Sequence, residues 1–71
     1  MVRLDSSAMW QANYDAESQM LFIWFTGDAL PYGYRDVPIQ VFEELCAAES
    51  QGRHFATHIR DRYEVVPPAD D

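Results

Sequence analysis

The sequence predicts a single α+β domain, in which a three-stranded antiparallel β-meander is followed by two C-terminal helices packed on the sheet. Apolar and aromatic residues in the first half follow the two-residue period of strands, and polar or glycine-containing breaks separate them. After a Val-Pro step the spacing of apolar residues becomes helical. A chain of 71 residues is expected to form one domain only.

The first half of the chain predicts three strands after a lead-in over residues 1–5. Polar residues 15–18 predict a hairpin loop before the second strand, residues 20–25, which reads MLFIWF. This strand is apolar on both faces, so it is expected to be central and covered on each side. Pro31 cannot donate a ladder hydrogen bond, so the third strand is expected to lie at an edge or to be bulged. Alternation in the first strand places Gln11 and Asn13 on one face of the sheet. It places four residues on the other face: Ala8, Trp10, Ala12 and Tyr14.

Val37-Pro38 marks the change to helix, because proline suits the first helical turn and the preceding residue avoids the α region. The N-cap is expected at position 36 or 37, and the first helix is predicted to reach about residue 48. Ser50 is expected to cap a second helix that reaches about residue 61. The domain is therefore expected over residues 6–66, with a disordered tail over 67–71. The apolar residues that share helix faces are Val41, Leu45 and Ala48 in the first helix and Phe55 and Ile59 in the second.

Charge and hydropathy exclude several classes of protein. Twelve carboxylates against five arginines and no lysine give a formal net charge of −7. Lysine and arginine supply phosphate contacts, so this charge counts against a general binder of nucleic acid or anionic membranes. The longest apolar run is far too short to span a bilayer, and the first ten residues do not resemble a signal peptide. We therefore expect no membrane partner. A lone cysteine is typical of a reducing compartment, so the chain is expected to be cytoplasmic.

The sequence contains no pattern that predicts catalysis or a bound cofactor. His54 and His58 have the four-residue spacing of two metal ligands on a helix, but zinc needs three or four ligands. A nucleophilic role for Cys46 would need an adjacent base, and His54 is the only candidate near it in the sequence. We interpret Cys46 instead as a small buried residue in the first helix. We therefore expect no metal, no cofactor and no enzymatic activity.

A set of landmarks in a fixed order resembles the KTSC domain, which occurs at the C-terminus of some lysyl-tRNA synthetases and alone in small bacterial proteins. The resemblance spans about residues 4–64. It implies a domain of unknown function, for which RNA binding has been suggested from the synthetase context. The landmarks are Ser6-Ser7, Tyr14-Asp15, Leu21-x-Ile23-x-Phe25, Gly27, Tyr32-x-Tyr34, Val37-Pro38, Leu45, Ser50-x-Gly52, Phe55, Ile59-Arg60 and Tyr63.

Tyr32 and Tyr34, which flank Gly33, are the first candidate binding residues. Residues two apart in a strand point the same way, so the two rings should lie on one face. They could stack on nucleic-acid bases, an interaction worth about 1–3 kcal/mol per base. Alternatively they lie across neighbouring strands and contribute to the core. We favour the second interpretation, because so short a chain needs most of its aromatic rings inside.

The only basic stretch, residues 53–62, supplies the other candidates. Arg53, Arg60 and Arg62, beside Tyr63, could form a patch that contacts phosphate. The alternative is that these arginines pair with carboxylates of the first helix and the residues after it. Those carboxylates are Glu43, Glu44 and Glu49.

These observations predict a small non-enzymatic interaction module with a protein as its expected partner. An acidic surface around exposed apolar residues, such as Met20, Phe22 or Trp24, would suit a basic partner or self-association into a homo-oligomer. A further alternative is an acidic mimic of nucleic acid that inhibits a nucleic-acid-binding protein. RNA binding is the other alternative, and its candidate residues are Tyr32, Tyr34, Arg53, Arg60, Arg62 and Tyr63.

Overall fold

A computed structural model describes residues 1–68 of the chain, where a pair of helices lies against one antiparallel sheet of five strands. The sheet order is β1-β2-β3-β4-β5, and both helices lie between β4 and β5 in the sequence. The α+β class, the antiparallel sheet and the two helices agree with the sequence prediction, but the prediction of three strands is wrong, and one strand follows the helices instead of preceding them. The elements are β1 (Val2–Arg3), β2 (Met9–Asp15), β3 (Met20–Phe25), β4 (Tyr32–Tyr34), α1 (Ile39–Ala47), α2 (Gln51–His58) and β5 (Val65–Val66).

The two strands that the sequence did not predict are β1 and β5, at the edges of the sheet. In β1, which lies in the predicted lead-in, Val2 pairs with Ala12 of β2. In β5, Val66 pairs with Gly33 of β4. Two residues are too few to show a two-residue period, so neither strand has a detectable pattern. Of the predicted tail, residues 67 and 68 lie outside any strand, and residues 69–71 lie outside the described residues.

Because β5 pairs with β4, the expectation that the third predicted strand lies at an edge is also wrong. Pro31 immediately precedes β4 rather than lying within it. Its missing N–H therefore removes no hydrogen bond from the ladder. The sequence predicts extended structure over residues 29–36, but the strand has only three residues.

The central position predicted for β3 is confirmed, but only one face of this strand is covered by the helices. Leu21 and Ile23 are fully buried in the core, together with Leu45 of α1 and Phe55 of α2. The alternate side chains of β3 point to the opposite face of the sheet. They are half-buried and lie outside the core cluster of residues 1–68, so the expectation of cover on both sides is not met.

A β-bulge in β2 reverses the predicted facing of Trp10. Met9 pairs with Phe25 and Gln11 pairs with Trp24, so Trp10 is an extra residue in β2. Met9 is fully buried, whereas Trp10 is 39% exposed. Strict alternation had placed Trp10 on the face of Ala12, and the bulge breaks that alternation.

The helices begin and end close to their predicted limits. Pro38 occupies the N-cap of α1 and makes no side-chain capping bond. The predicted Ser50 cap of α2 is confirmed, because its Oγ accepts a hydrogen bond from the Arg53 N–H at 3.4 Å. The α2 helix ends at His58, where the Ile59 and Arg60 N–H groups both donate to the Phe55 carbonyl. Neither helix within residues 1–68 has the length and hydropathy needed to cross a membrane.

Gln51, the first residue of α2, links the N-terminal segment to the last turn of α1, and it is only 9% exposed. Its Oε1 accepts a hydrogen bond from the Asp5 N–H at 2.6 Å, and its Nε2 donates to the Cys46 carbonyl at 3.3 Å. Because both the oxygen and the nitrogen of this buried side-chain amide have hydrogen-bond partners, Gln51 holds the segment before β2 against the helices.

We expect Gln51→Ala to lower the free energy of unfolding by about 1–3 kcal/mol, because it leaves the Asp5 N–H without its partner. Urea denaturation followed by far-UV circular dichroism measures this loss. The matched control is Gln40→Ala, at an exposed position of α1, where the change should stay within about 0.5 kcal/mol. Equal losses in the two variants would show that the buried amide does not hold the two segments together.

Candidate functional site

The face of the sheet that points away from the helices exposes a group of apolar side chains. Met20, Phe22 and Trp24 of β3 are half-buried there. The indole of Trp10 lies beside that of Trp24, with ring centroids 6.4 Å apart. Val66, 41% exposed, extends the group into β5. We call this surface the open face and define it by these five residues.

Gly33 keeps the open face flat. A Cβ at this position would lie 2.8 Å from Met20 Cε and 3.4 Å from Phe22 Cε1. The two side chains therefore lie across the backbone of β4, in the space that any other residue would fill. Val66 is directly opposite Gly33 in the ladder, so it continues the same surface. The result is an apolar surface that continues from β3 across Gly33 to β5.

The charges at the rim of the open face balance. Arg3 is directly opposite Gln11, which in turn is opposite Trp24, and Asp15 is opposite Met20. At the β4–β5 side, Arg35 and Glu64 form an ion pair with a nitrogen–oxygen distance of 3.6 Å. The rim, which we define as these four charged residues, holds two positive and two negative side chains. It is thus nearly neutral, although the whole chain has a formal charge of −7.

Tyr32 and Tyr34 lie on the helix side of the sheet, not on the open face. Tyr34 is 4% exposed, and its ring centroid is 5.5 Å from that of Phe55. Tyr32 is half-buried, with its ring 5.4 Å from that of Phe25. Burial raises the pKa of Tyr34 to about 12; Tyr32 adds to this shift, and Arg60 opposes it. The pair contributes to the core, which is the structural interpretation favoured from the sequence.

Among the basic candidates, Arg60 is close enough to Tyr34 to oppose the shift in its pKa, but the ring of Tyr34 is buried. Arg53 is exposed in the first turn of α2, and Arg60 and Arg62 are exposed in the turn that follows this helix. Tyr63 is half-buried and packs against the core. The six candidates therefore do not form one exposed surface of rings and guanidinium groups.

The pairing expected between these arginines and the carboxylates at positions 43, 44 and 49 is not observed within residues 1–68. Arg60 instead lies 3.9 Å from its sequence neighbour Asp61, and both side chains are largely exposed. An exposed ion pair at this distance stabilises a protein little. The other ion pair among the described residues is the one at the rim of the open face.

His54 and His58 lie side by side on α2, with ring centroids 4.5 Å apart. They line an open cavity of about 370 Å³ beside the connection between the helices. Burial lowers the pKa of His54, and His58 adds to this effect while Glu44 opposes it. Within residues 1–68, no set of three His, Cys, Asp or Glu side chains is placed to hold a metal ion. Two imidazoles alone provide fewer ligands than a zinc site requires.

Cys46 in α1 is half-buried rather than fully buried, and burial raises the pKa of its thiol. The thiolate is the nucleophilic form of cysteine, so a raised pKa makes this residue less reactive at neutral pH. Its backbone carbonyl serves the fold by accepting the hydrogen bond from Gln51.

Comparison with known proteins identifies one family. The family model of the KTSC domain matches residues 5–63. The crystal structure of a KTSC domain protein from Yersinia pestis superposes with a TM-score of 0.88 and 26% identity, over 96% of this chain and 94% of that one. The agreement extends over nearly the full length of both chains.

Two bacterial relatives are more similar in sequence. A protein from Tsukamurella paurometabola is 42% identical over 66 residues, which cover 93% of this chain and 97% of that protein. A protein from Stutzerimonas stutzeri is 44% identical over 54 residues, which cover 76% of this chain and 75% of that protein.

Proposed function

This chain belongs to the KTSC domain family, and we propose that it is a small non-enzymatic interaction module that binds a protein partner through the open face. The observation that supports this proposal is the partial exposure of two tryptophans, Trp10 and Trp24, on one flat surface. Tryptophan is enriched among the residues that contribute most to protein–protein binding. The neighbouring Met20 and Phe22 add the apolar area that such an anchor needs around it.

The pattern of β3 supports the same proposal. An antiparallel sheet with one face in water usually alternates apolar residues toward the core with polar residues toward solvent. β2 follows this rule at Gln11 and Asn13, but β3 places Met20, Phe22 and Trp24 toward the solvent. Folding alone does not require apolar residues at these three positions, because the core is formed on the other face.

The charges favour a protein over a nucleic acid as the partner. Binding to a phosphate backbone relies on arginine and lysine, and each contact releases counterions. The rim has only two arginines, and one of them, Arg35, is paired with Glu64. The chain has no lysine, and its net charge of −7 would repel a polyanion at long range.

Affinity capture from a bacterial lysate tests this function with the matched variants Trp24→Glu and Ile39→Glu. Ile39 is 43% exposed at the start of α1, so the second variant adds the same charge on the helix side. We expect Trp24→Glu to reduce the recovery of a bound protein by roughly 30-fold or more, as for an interface hot spot. Ile39→Glu should leave recovery unchanged.

Two outcomes of the capture experiment would contradict the proposal. Equal recovery with both variants would place binding elsewhere on the surface. Loss of the captured material on ribonuclease treatment, with RNA as the species retained, would make the domain an RNA binder.

A further inference from the structure

The nearly neutral rim of the open face bears on the kind of protein that binds there. A basic partner is attracted by carboxylates around an apolar surface. Here Asp15 and Glu64 are matched by Arg3 and Arg35, and Glu64 is already paired with Arg35. Part of the excess negative charge of the chain lies on α1, away from this surface, at the exposed Glu43 and Glu44. The open face has no charge excess that would select a basic protein.

We infer that the open face binds the open face of a second copy of this chain, which gives a two-fold symmetric dimer. This inference rests on the proposed function and identifies the protein partner as a second copy of the chain. In a two-fold contact the same surface meets itself, so it must be complementary to itself in shape and charge. The open face is flat, apolar along β3 and balanced in charge at its rim, and each of these properties allows it to pack on an identical surface.

The geometry of such a dimer follows from ordinary sheet packing. Two sheets that pack face to face lie about 10 Å apart, and their strands run within roughly 30° of each other. The central strand β3 of each copy would then lie in the middle of the contact. There, Phe22 and Trp24 of both copies would be removed from water. The helices would remain on the two outer surfaces of the dimer.

The area of the open face sets the expected affinity. β3 has six residues and the sheet has five strands, so the surface measures at most roughly 20 Å by 20 Å, about 400 Å² for each copy; the outer strands are shorter than β3 and reduce this area. A stable interface of standard size buries about 800 Å² per partner, so this contact has at most about half that area and belongs with weak, transient interfaces. We therefore expect a dissociation constant in the micromolar range, roughly 1–100 μM.

Salt dependence distinguishes a second copy from a basic partner. Two copies with a net charge of −7 each repel at long range, while the contact itself is nearly neutral. Added salt screens this repulsion, so the dimer should become tighter, or stay unchanged, as ionic strength rises from about 20 to 300 mM. A complex held by attraction to a basic partner would instead weaken with salt.

Intrinsic fluorescence offers a direct signal, because both tryptophans of the chain are on the open face. A second copy packed on this face would remove both indoles from water. We expect the emission maximum to shift to shorter wavelength as protein concentration rises from about 1 to 500 μM, across the expected dissociation constant.

Sedimentation equilibrium over the same concentrations tests the inference. The wild-type chain should change from its monomer mass of 8.2 kDa to twice that mass. Trp24→Glu should remain monomeric. Asn13→Glu is the second variant, because Asn13 is half-buried directly opposite Phe22 and the substitution adds charge without removing apolar area. It should weaken the dimer at least about tenfold, whereas Ile39→Glu should dimerise as the wild type does.

The inference is overturned if the wild type stays monomeric at the highest concentration, if both open-face variants dimerise normally, or if the dimer dissociates as salt is added. If the chain is monomeric but still captures another protein in a way that depends on Trp24, self-association is excluded and the proposed function stands. If the chain is monomeric and captures no protein in this way, both the self-association and the proposed function are excluded.

Discussion

Phe55→Ala is expected to leave roughly half of the molecules unfolded at 25 °C in water, because the loss is about as large as the stability of the domain. Phe55 is 6% exposed, and its ring lies 5.4 Å from Phe25 and 5.5 Å from Tyr34 in edge-to-face arrangements. Truncation of a buried phenylalanine to alanine costs about 3–5 kcal/mol. A domain of this length without a disulfide or metal has a total stability of roughly 3–5 kcal/mol, so one substitution offsets nearly all of it.

Far-UV and near-UV circular dichroism of Phe55→Ala measure this loss. Phe22→Ala is the matched control, because it makes the same substitution on the open face, where the side chain is half-buried. The control should cost about 1 kcal/mol and keep the native spectrum. With both variants measured well below the expected dissociation constant of the dimer, similar losses would mean that Phe22 contributes to the stability of the monomer as much as the buried Phe55 does.

Met9→Ala is expected to have the second largest effect, a decrease of about 2–5 kcal/mol in the free energy of unfolding. Met9 is fully buried because the bulge at Trp10 turns it toward the core, opposite Phe25. A regular strand would place Met9 on the other face, beside Gln11, where the same substitution would cost little. The measurement therefore tests the bulge as well as the packing.

Thermal unfolding compares Met9→Ala with its matched control, Met20→Ala. Met20 is half-buried on the open face. We expect Met9→Ala to lower Tm by roughly 10 °C or more, since each kcal/mol corresponds to about 4–8 °C in a domain of this size. Met20→Ala should lower Tm by a few degrees only, and the reverse order would show that β2 lacks the bulge.

Much of the fold could be predicted from the sequence because several of its elements have a strong local pattern. The six apolar residues of β3 predict a central strand, and Ser50 before an amphipathic segment predicts the start of α2. β1 and β5 have no such pattern, because each has two residues and is held by its partner strand. The bulge at Trp10 depends on the pairing of β2 with β3 and cannot be read from β2 alone.

The candidate site could be predicted only to a limited extent. Met20, Phe22 and Trp24 were identified from the sequence as apolar residues available to a partner, but an apolar pattern on both faces does not tell which face the helices cover. Trp10 joins the open face because of the bulge, so alternation placed it on the wrong side. The position of Gln51 depends on contacts between distant segments of the chain, and a lone glutamine gives no sequence signal.

Because the outermost strands of the sheet are short, copies of this chain have little backbone through which to join edge to edge. Lateral growth of a sheet from chain to chain needs a long row of unpaired backbone N–H and C=O groups, and fibrils are built in this way. The outer strands Val2–Arg3 and Val65–Val66 offer two residues each. Concentrated solutions should therefore contain small closed particles and no filaments, a distinction that light scattering and thioflavin fluorescence can make.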